Sequence, residues 1–319
     1  MLESQRLILL VSSGIAGLLV GSFLNVCIFR LPRHCMSIVK PRSRCTKCLR
    51  WIAWYDNLPV ASWLLLGGRC RGCKAPISPR YALVELLTGA LYFYAGWRAL
   101  VQVTHPGGHE AVRFTVEAWF LACLIVCTFI DYDFQILPDE VTIPGIIIGL
   151  LLSFGFPYLH STGLPPLPYL GGLARFLSES PRWASFAASA FGAAAGAGIL
   201  YVVGMLGKIL FRKRIEQAGE TEAMGFGDVK YLAMFGAVLG WKGMLLGFMV
   251  ACLVAAGFGI LKLIVLRRMG YVPFGPFLSL GAMTILFWPG HVIRAIQAYM
   301  GWMNSLSLWV TELFGRRPP

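Results

Sequence analysis

Eight apolar runs dominate this chain, at residues 7–29, 81–101, 116–130, 141–156, 184–211, 229–239, 244–266 and 274–296. An unpaired peptide group is costly in hydrocarbon, so a chain that crosses a bilayer must satisfy its backbone internally. A helix of about 20 apolar residues does this and is long enough to span. The pattern therefore predicts an all-α polytopic membrane protein with about eight transmembrane helices. Only 13% of the residues are charged and 57% are hydrophobic, which is more apolar surface than one soluble core would hide. The first run is too long for the apolar part of a cleavable signal, and no small-residue cleavage site follows it, so it reads as a retained span. The run 229–239 is short, and only Gly240, Trp241, Lys242 and Gly243 separate it from the next. That fits either a tight turn or a kink in one long helix.

The net charge of +13 would suggest nucleic acid in a soluble protein. In a membrane protein it first reports topology, because Lys and Arg collect in cytoplasmic loops. Residues 30–80 carry eleven Lys or Arg against one acid, Asp56. This loop is expected in the cytoplasm. The loops bearing Asp131 and Asp228, and Arg267–Arg268, then fall on the same side by alternation. No nucleic-acid partner is expected. The expected division is a first helix at 1–29, a cysteine-rich loop module at 30–80, a membrane body at 81–299 and a tail at 300–319.

Cys45-x-x-Cys48 is followed after 21 residues by Cys70-x-x-Cys73. Each pair lets one tight turn present two sulfurs, and two such pairs make a tetrahedral four-thiolate site whose usual occupant is Zn²⁺. Four thiolates leave no open position, so the metal is expected to be structural, supplying folding energy to a loop too small for its own core. Disulfides are the alternative, disfavoured in a cytosolic loop. The remaining cysteines, 27, 35, 123, 127 and 252, read as small buried hydrophobes.

Acids at the ends of spans are rare and usually functional. Two clusters stand out: Asp131, Asp133 and Asp139 in one stretch, and Gly225-Phe226-Gly227-Asp228 followed by Lys230 in another. Two aspartates held close share a proton, which supplies the base and the acid that peptide hydrolysis by water needs. Gly225 and Gly227 suit close backbone approach, and Asp228 would lie at a helix start. The plain alternative for Asp228 and Asp139 is helix N-capping. Spacing does not choose among Asp131, Asp133 and Asp139 as the partner of Asp228. Lys230 suits either a charge partner or lipid headgroups. Pro273-Phe274-Gly275-Pro276 suits a helix start or a bent segment lining a groove.

These residues resemble the type IV prepilin peptidases, the GxGD-type membrane aspartyl proteases that serve type IV pili and type II secretion. The likeness runs through Gly21-Ser22-Phe23-Leu24-Asn25-Val26, Arg30-Leu31-Pro32, Pro41-Arg42-Ser43-Arg44-Cys45, Asn57-Leu58-Pro59-Val60, the Cys70 pair, the 131–139 and 224–230 stretches and Pro273-Phe274-Gly275-Pro276-Phe277. The resemblance implies that Asp131 and Asp228 are catalytic, with Asp133 and Asp139 supporting. It implies removal of a basic leader from prepilins or pseudopilins after a glycine, at the bacterial inner membrane. It further implies N-methylation of the new N-terminus from S-adenosylmethionine, linked to the cysteine loop. No Gly-rich methyl-donor motif is visible, and Glu85, an acid inside the second apolar run, is the one candidate contributor; the alternative for it is a buried acid paired with Lys or Arg. Residues 157–183 make the separation of the two aspartates longer than the family norm.

A membrane redox or metal-handling protein built on the cysteine quartet is the rival reading, and it leaves both acidic clusters unexplained. A transporter would instead be expected to carry its acids at mid-bilayer.

Overall fold

The computed structural model describes residues 3–33, 37–101, 108–157, 180–210, 212, 225–266 and 272–315. Cys35, His34, His105, His160, Met224, Arg267, Arg268 and most of 157–183 lie outside the described residues. Within them the regular elements are helical: α1 (Glu3–Arg30), α2 (Ala61–Leu65), α3 (Pro79–Gly96), α4 (Gly108–Phe134), α5 (Asp139–Gly155), α6 (Pro181–Leu210), α7 (Phe226–Leu266), α8 (Gly275–Phe287) and α9 (Pro289–Gly315). No strand forms among the described residues; two isolated bridges, Arg44 with Trp51 and Arg69 with Pro76, brace the cysteine loop. Four helices, α1, α4, α6 and α7, are long and apolar enough to cross a membrane, and α8 with α9 makes a fifth candidate if the bent pair counts as one.

Contacts along the helices fix their directions. A Cβ on Gly21 of α1 would lie 2.8 Å from Cα of Glu85, while Gly14 meets Phe93, so α3 runs back along α1. Arg80 pairs with Asp133 at one end of α3, and Tyr92 donates to the Ala118 carbonyl nearer the other, so α4 opposes α3. Gly145 and Gly149 of α5 abut Met234 and Ala237 of α7 in parallel, whereas Gly192 and Gly196 of α6 abut Gly236 and Leu232 in the opposite sense.

A continuous helix of 41 residues, the length of α7, would be roughly 60 Å long, about twice the hydrocarbon thickness. It breaks at Gly240, where φ is 70° and ψ 170°. A side chain there would be strained, and glycine carries none. Before the break, Tyr231 bonds Ser279 and the chain runs parallel to α8. After it, Gly243 meets Ile285 and Gly247 meets Gly281, so the second arm runs antiparallel to α8. The chain therefore reverses at Gly240. Of the two sequence expectations, a turn and a kink in one helix, the turn is what forms.

The apolar run 274–296 differs from expectation. It is not one helix: α8 ends at Phe287, and α9 leaves at 99° after a break at Trp288. Pro289 forbids the amide donor that an unbroken helix would need at that position. The break is held by Arg98, which donates to the Leu286 and Phe287 carbonyls at 2.6 and 2.8 Å and pairs with the buried Glu117 at 2.7 Å. This cluster marks the end of the bundle remote from Asp131.

The core lies where α4, α7 and α8 meet. Phe120, Leu124, Tyr231, Leu232, Phe235 and Leu278 are wholly buried there. Tyr231 stacks obliquely on Phe235, and Phe120 meets Phe235 edge to face. Burial of these rings and side chains, at about 25 cal/mol per Å² of apolar area, stiffens the segments whose ends carry the acids. Cys27 and Cys127 are buried in this apolar framework, and Cys123 and Cys252 are half-buried.

Candidate active site and metal centre

Three helix ends converge at Asp131, the end of α4 and the starts of α7 and α8. Asp131 sits in the last turn of α4 and is 5% exposed. The Gly275 N–H, first residue of α8, donates to its Oδ2 at 2.9 Å. A Cβ on Gly275 would lie 2.7 Å from the same oxygen, so only glycine lets the amide approach. Asp228 lies in the first turn of α7, half-buried, and reaches the same end of the bundle because Tyr231, one turn on, bonds Ser279 of α8, one turn after Gly275. The sequence motifs far apart in the chain thus meet at one end of the bundle.

The neighbouring acids are placed differently. Asp133 is paired with Arg80 at 2.5 Å, and that guanidinium also lies over the Phe129 ring. Asp139 is paired with Lys230, whose ammonium lies over Phe226. Among the described residues, no Lys or Arg pairs with Asp131 or Asp228. The N-capping expectation for Asp139 fails: Pro138 is the N-cap, Asp139 is the first helical residue, and no side chain caps this terminus. Lys230 has a protein partner and is not simply a headgroup anchor. Gly227 is tightly approached by Leu137, where a Cβ would come within 3.0 Å of the Leu137 Cβ. Gly225 is exposed, and among the described residues a Cβ there would meet only the Asp228 carboxylate, at 3.8 Å. Helix α8 starts at Gly275 with Pro276 in its first turn, as the helix-start reading has it, and Pro273 and Phe274 lie outside the helix, just before it, with a bend at Phe274.

The cysteine module builds its site from two matching turns. The Cys45 N–H donates to the Arg50 carbonyl at 3.0 Å, and the Leu49 N–H returns to the Cys45 carbonyl at 3.0 Å. Cys70 repeats this with Ala75 at 2.8 Å and Lys74 at 2.9 Å. Leu49 and Lys74 both have positive φ, 58° and 57°, which turns each loop over its pair of sulfurs. All four Sγ atoms lie within 4.8 Å of one another, and Cys45 and Cys73 are 3.8 Å apart. A tetrahedron with metal–sulfur bonds of about 2.3 Å has edges of about 3.8 Å, so the quartet suits a metal ion. All four thiols are free of disulfides. The backbone N–H groups of Cys48 and Lys47 pull the Cys45 thiol down to about 6, and those of Cys73 and Gly72 lower Cys70. Thiolate, the metal-binding form, is thereby favoured at Cys45 and Cys70, whereas, against the Ala75 N–H, burial and the three neighbouring sulfurs push the Cys73 thiol up to about 11.

Glu85 is buried, 9% exposed, and accepts from the Val60 N–H at 2.8 Å. Among the described residues it has no Lys or Arg partner, unlike the paired acid that was one expectation. Sequence reasoning missed three residues: Gly275 as an amide donor, Arg80 as the partner of Asp133, and Val60. The Pro273–Phe277 motif signalled Gly275 as special, but nothing local to it points to α4.

Residues 15–99 match the bacterial peptidase A24 N-terminal domain, and residues 118–260 match the type IV leader peptidase family. The chain is 38% identical to a prepilin leader peptidase/N-methyltransferase of Myxococcus xanthus, over 80% of this chain and 64% of that protein. It is 34% identical to one of Aeromonas hydrophila, over 87% and 90%. It is 30% identical to one of Pseudomonas aeruginosa, over 94% and 97%. No solved structure matches. Two adjoining domain matches and relatives aligned over nearly their whole length lead to one assignment: the chain belongs to the type IV leader peptidase family.

Proposed function

We propose that this chain is a membrane aspartyl endopeptidase that removes the basic leader from type IV prepilins or pseudopilins after a glycine, and then N-methylates the new N-terminus. The observation that carries the peptidase reading is the contrast among four acids. Asp133 and Asp139 are paired with Arg80 and Lys230, while Asp131 and Asp228 come to the same end of the bundle with no cation partner among the described residues. Two such carboxylates, brought together around one substrate, cannot both ionise freely, and one proton is then shared between them. The ionised member takes a proton from water, and the water oxygen attacks the scissile carbonyl. The protonated member donates to the carbonyl oxygen, and collapse of the tetrahedral adduct releases the leader. The Gly275 amide holds the Asp131 carboxylate in place for this exchange.

The cysteine quartet suits a structural Zn²⁺, which would order the loop without chemistry of its own. The up–down alternation of α1, α3, α4, α5, α6, the two arms of α7 and α8 supports eight crossings. The cation-rich residues 30–80 and the aspartates share one end of the bundle through Arg80 and Asp133, which supports a cytoplasmic site in a bacterial inner membrane. S-adenosylmethionine is the methyl donor that the relatives' N-methyltransferase names imply.

Co-expression with a candidate prepilin, followed by mass measurement of its N-terminus, tests both steps. Trimming with an added methyl group is expected. Trimming that persists in Asp131→Asn or Asp228→Asn would overturn the peptidase assignment.

A further inference from the structure

Helix α9 takes no part in the chemistry at either site. It leaves α8 at 99°, so it lies across the axis that α4, α7 and α8 share. It departs from the end of the bundle remote from Asp131, where Arg98 grips the last carbonyls of α8. Aromatic rings gather at this level. The Tyr94 ring lies 5.8 Å from that of Trp97 and 5.5 Å from that of Trp288, and both indoles are exposed. Tryptophan and tyrosine collect where hydrocarbon meets headgroups, because each has an apolar body and a polar tip. The cluster therefore marks one surface of the membrane, and α9 starts in it, at the residue after Trp288. Along α9, Val292, Ile296, Tyr299, Met303 and Leu306 fall on one strip at helical spacing, and Arg294, Gln297, Gly301 and Ser305 on the strip opposite. Among residues 289–306 only Val292 and Ile296 are half-buried, and the rest are exposed. Both belong to the apolar strip, so that strip is turned toward the bundle. For a helix lying across the end of the bundle, this is also the side that faces the bilayer.

We propose that α9 docks on the outer leaflet as an in-plane helix, with its apolar strip sunk to the boundary between headgroups and acyl chains. The outer side rests on the cytoplasmic placement of the aspartates in the proposed function. Two observations make lipid the occupant. The first is continuity. The strip begins at the aromatic belt and carries it onward with Tyr299 and Trp302, whose rings lie 6.1 Å apart. The second is charge. Helices that lie on an anionic cytoplasmic surface carry a polar face rich in Lys and Arg. Among residues 289–306 the sole formal charge is Arg294. That suits the outer side, where loops are poor in cations. Such a helix is held by apolar area and by aromatic anchors, at a depth of about 5–10 Å.

The test is thiol labelling of the full-length protein in spheroplasts, with a charged maleimide that does not cross the inner membrane and the unaltered protein as baseline. Gln297→Cys and Ser305→Cys place the thiol on the polar strip, and Tyr299→Cys and Met303→Cys place it on the apolar one. All four positions are exposed, so the packing of the bundle is left untouched. The polar pair is expected to label at least about tenfold faster than the apolar pair, because the reactive thiolate forms in water and not among acyl chains. Equal labelling of all four would mean that α9 stands in water. No labelling of any, even after the membrane is opened, would mean that it is enclosed. Either result overturns the proposal. The same contrast seen only after opening would put the helix on the cytoplasmic leaflet and overturn the outer docking, whereas prepilin trimming, scored separately, decides the peptidase reading. Labelling is then repeated on purified protein in phosphatidylcholine vesicles, diluted so that most hold a single copy. Protection of the apolar pair that persists there assigns the cover to lipid. Protection that is lost there assigns it to a second copy or another protein, and the lipid docking falls.

Discussion

The cysteine module and the aspartate site solve the same problem, bringing together groups that the chain separates, by different physics. In the module, each half is local. A Cys-x-x-Cys turn closes with two backbone hydrogen bonds and one residue of positive φ, and only the docking of one turn against the other is long-range. At the aspartates nothing is local. Asp131 reaches Gly275 because α4 and α8 pack along Leu124, Thr128 and Ser279, and Asp228 arrives through Tyr231 on the same seam. A metal can assemble the first site. The second depends on the packing of the bundle, and the two should therefore fail independently.

The largest break in the comparison comes from the acids themselves. Asp131→Asn or Asp228→Asn should lower leader cleavage by about 10³-fold or more, within the reach of general acid–base catalysis, while metal content stays unchanged. Both are read from one purified preparation by peptide mass spectrometry and elemental analysis. Next is Gly275→Ala, which forces a methyl group against the Asp131 carboxylate. A cleavage rate down by about 10- to 100-fold with little change in KM is expected, because a small misplacement at the reacting groups is costly. A wild-type rate would show that this amide does not position Asp131.

Arg80→Met sharpens the contrast between paired and unpaired acids. It releases Asp133 beside the dyad and should slow cleavage by a few-fold, with a steeper dependence on ionic strength than the parent. The smallest effect on cleavage should follow Cys48→Ser with Cys73→Ser. Metal is expected to be lost, and methylation of the product with it, while trimming changes by less than about twofold. If trimming collapsed with the metal, the two regions would be one cooperative unit.

How far the sequence reveals these two sites follows from the same difference. The quartet is readable because its geometry is encoded within a few residues, and its spacing alone indicates four convergent sulfurs. The apolar runs are readable because each satisfies its backbone alone. The partner of Asp228 is not readable from spacing, since Asp131, Asp133 and Asp139 differ only in whether a cation from α3 or α7 reaches them. Those cations, Arg80 and Lys230, are ordinary charged residues in sequence. The reversal at Gly240 is half legible: the glycine is visible, but φ of 70° is fixed by the packing of both arms on α8. The turn at Trp288 is hidden because the run through it is apolar on both sides, and only Pro289 hints at it.

The reversal at Gly240 also has a consequence for the lipid. The first arm of α7 ends at Leu239 and α8 has 13 residues, so each is about 20 Å long at 1.5 Å per residue, some 10 Å less than an average hydrocarbon slab. The two shortest rods in the bundle are the ones that end at Asp228 and Gly275. Both are buried among longer neighbours, so a bilayer matched to those neighbours leaves the ends of the short rods recessed below its surface, a hollow in the protein through which water comes down to the carboxylates. Turnover in reconstituted vesicles should then fall as acyl chains lengthen, making bilayer thickness itself a control on the enzyme.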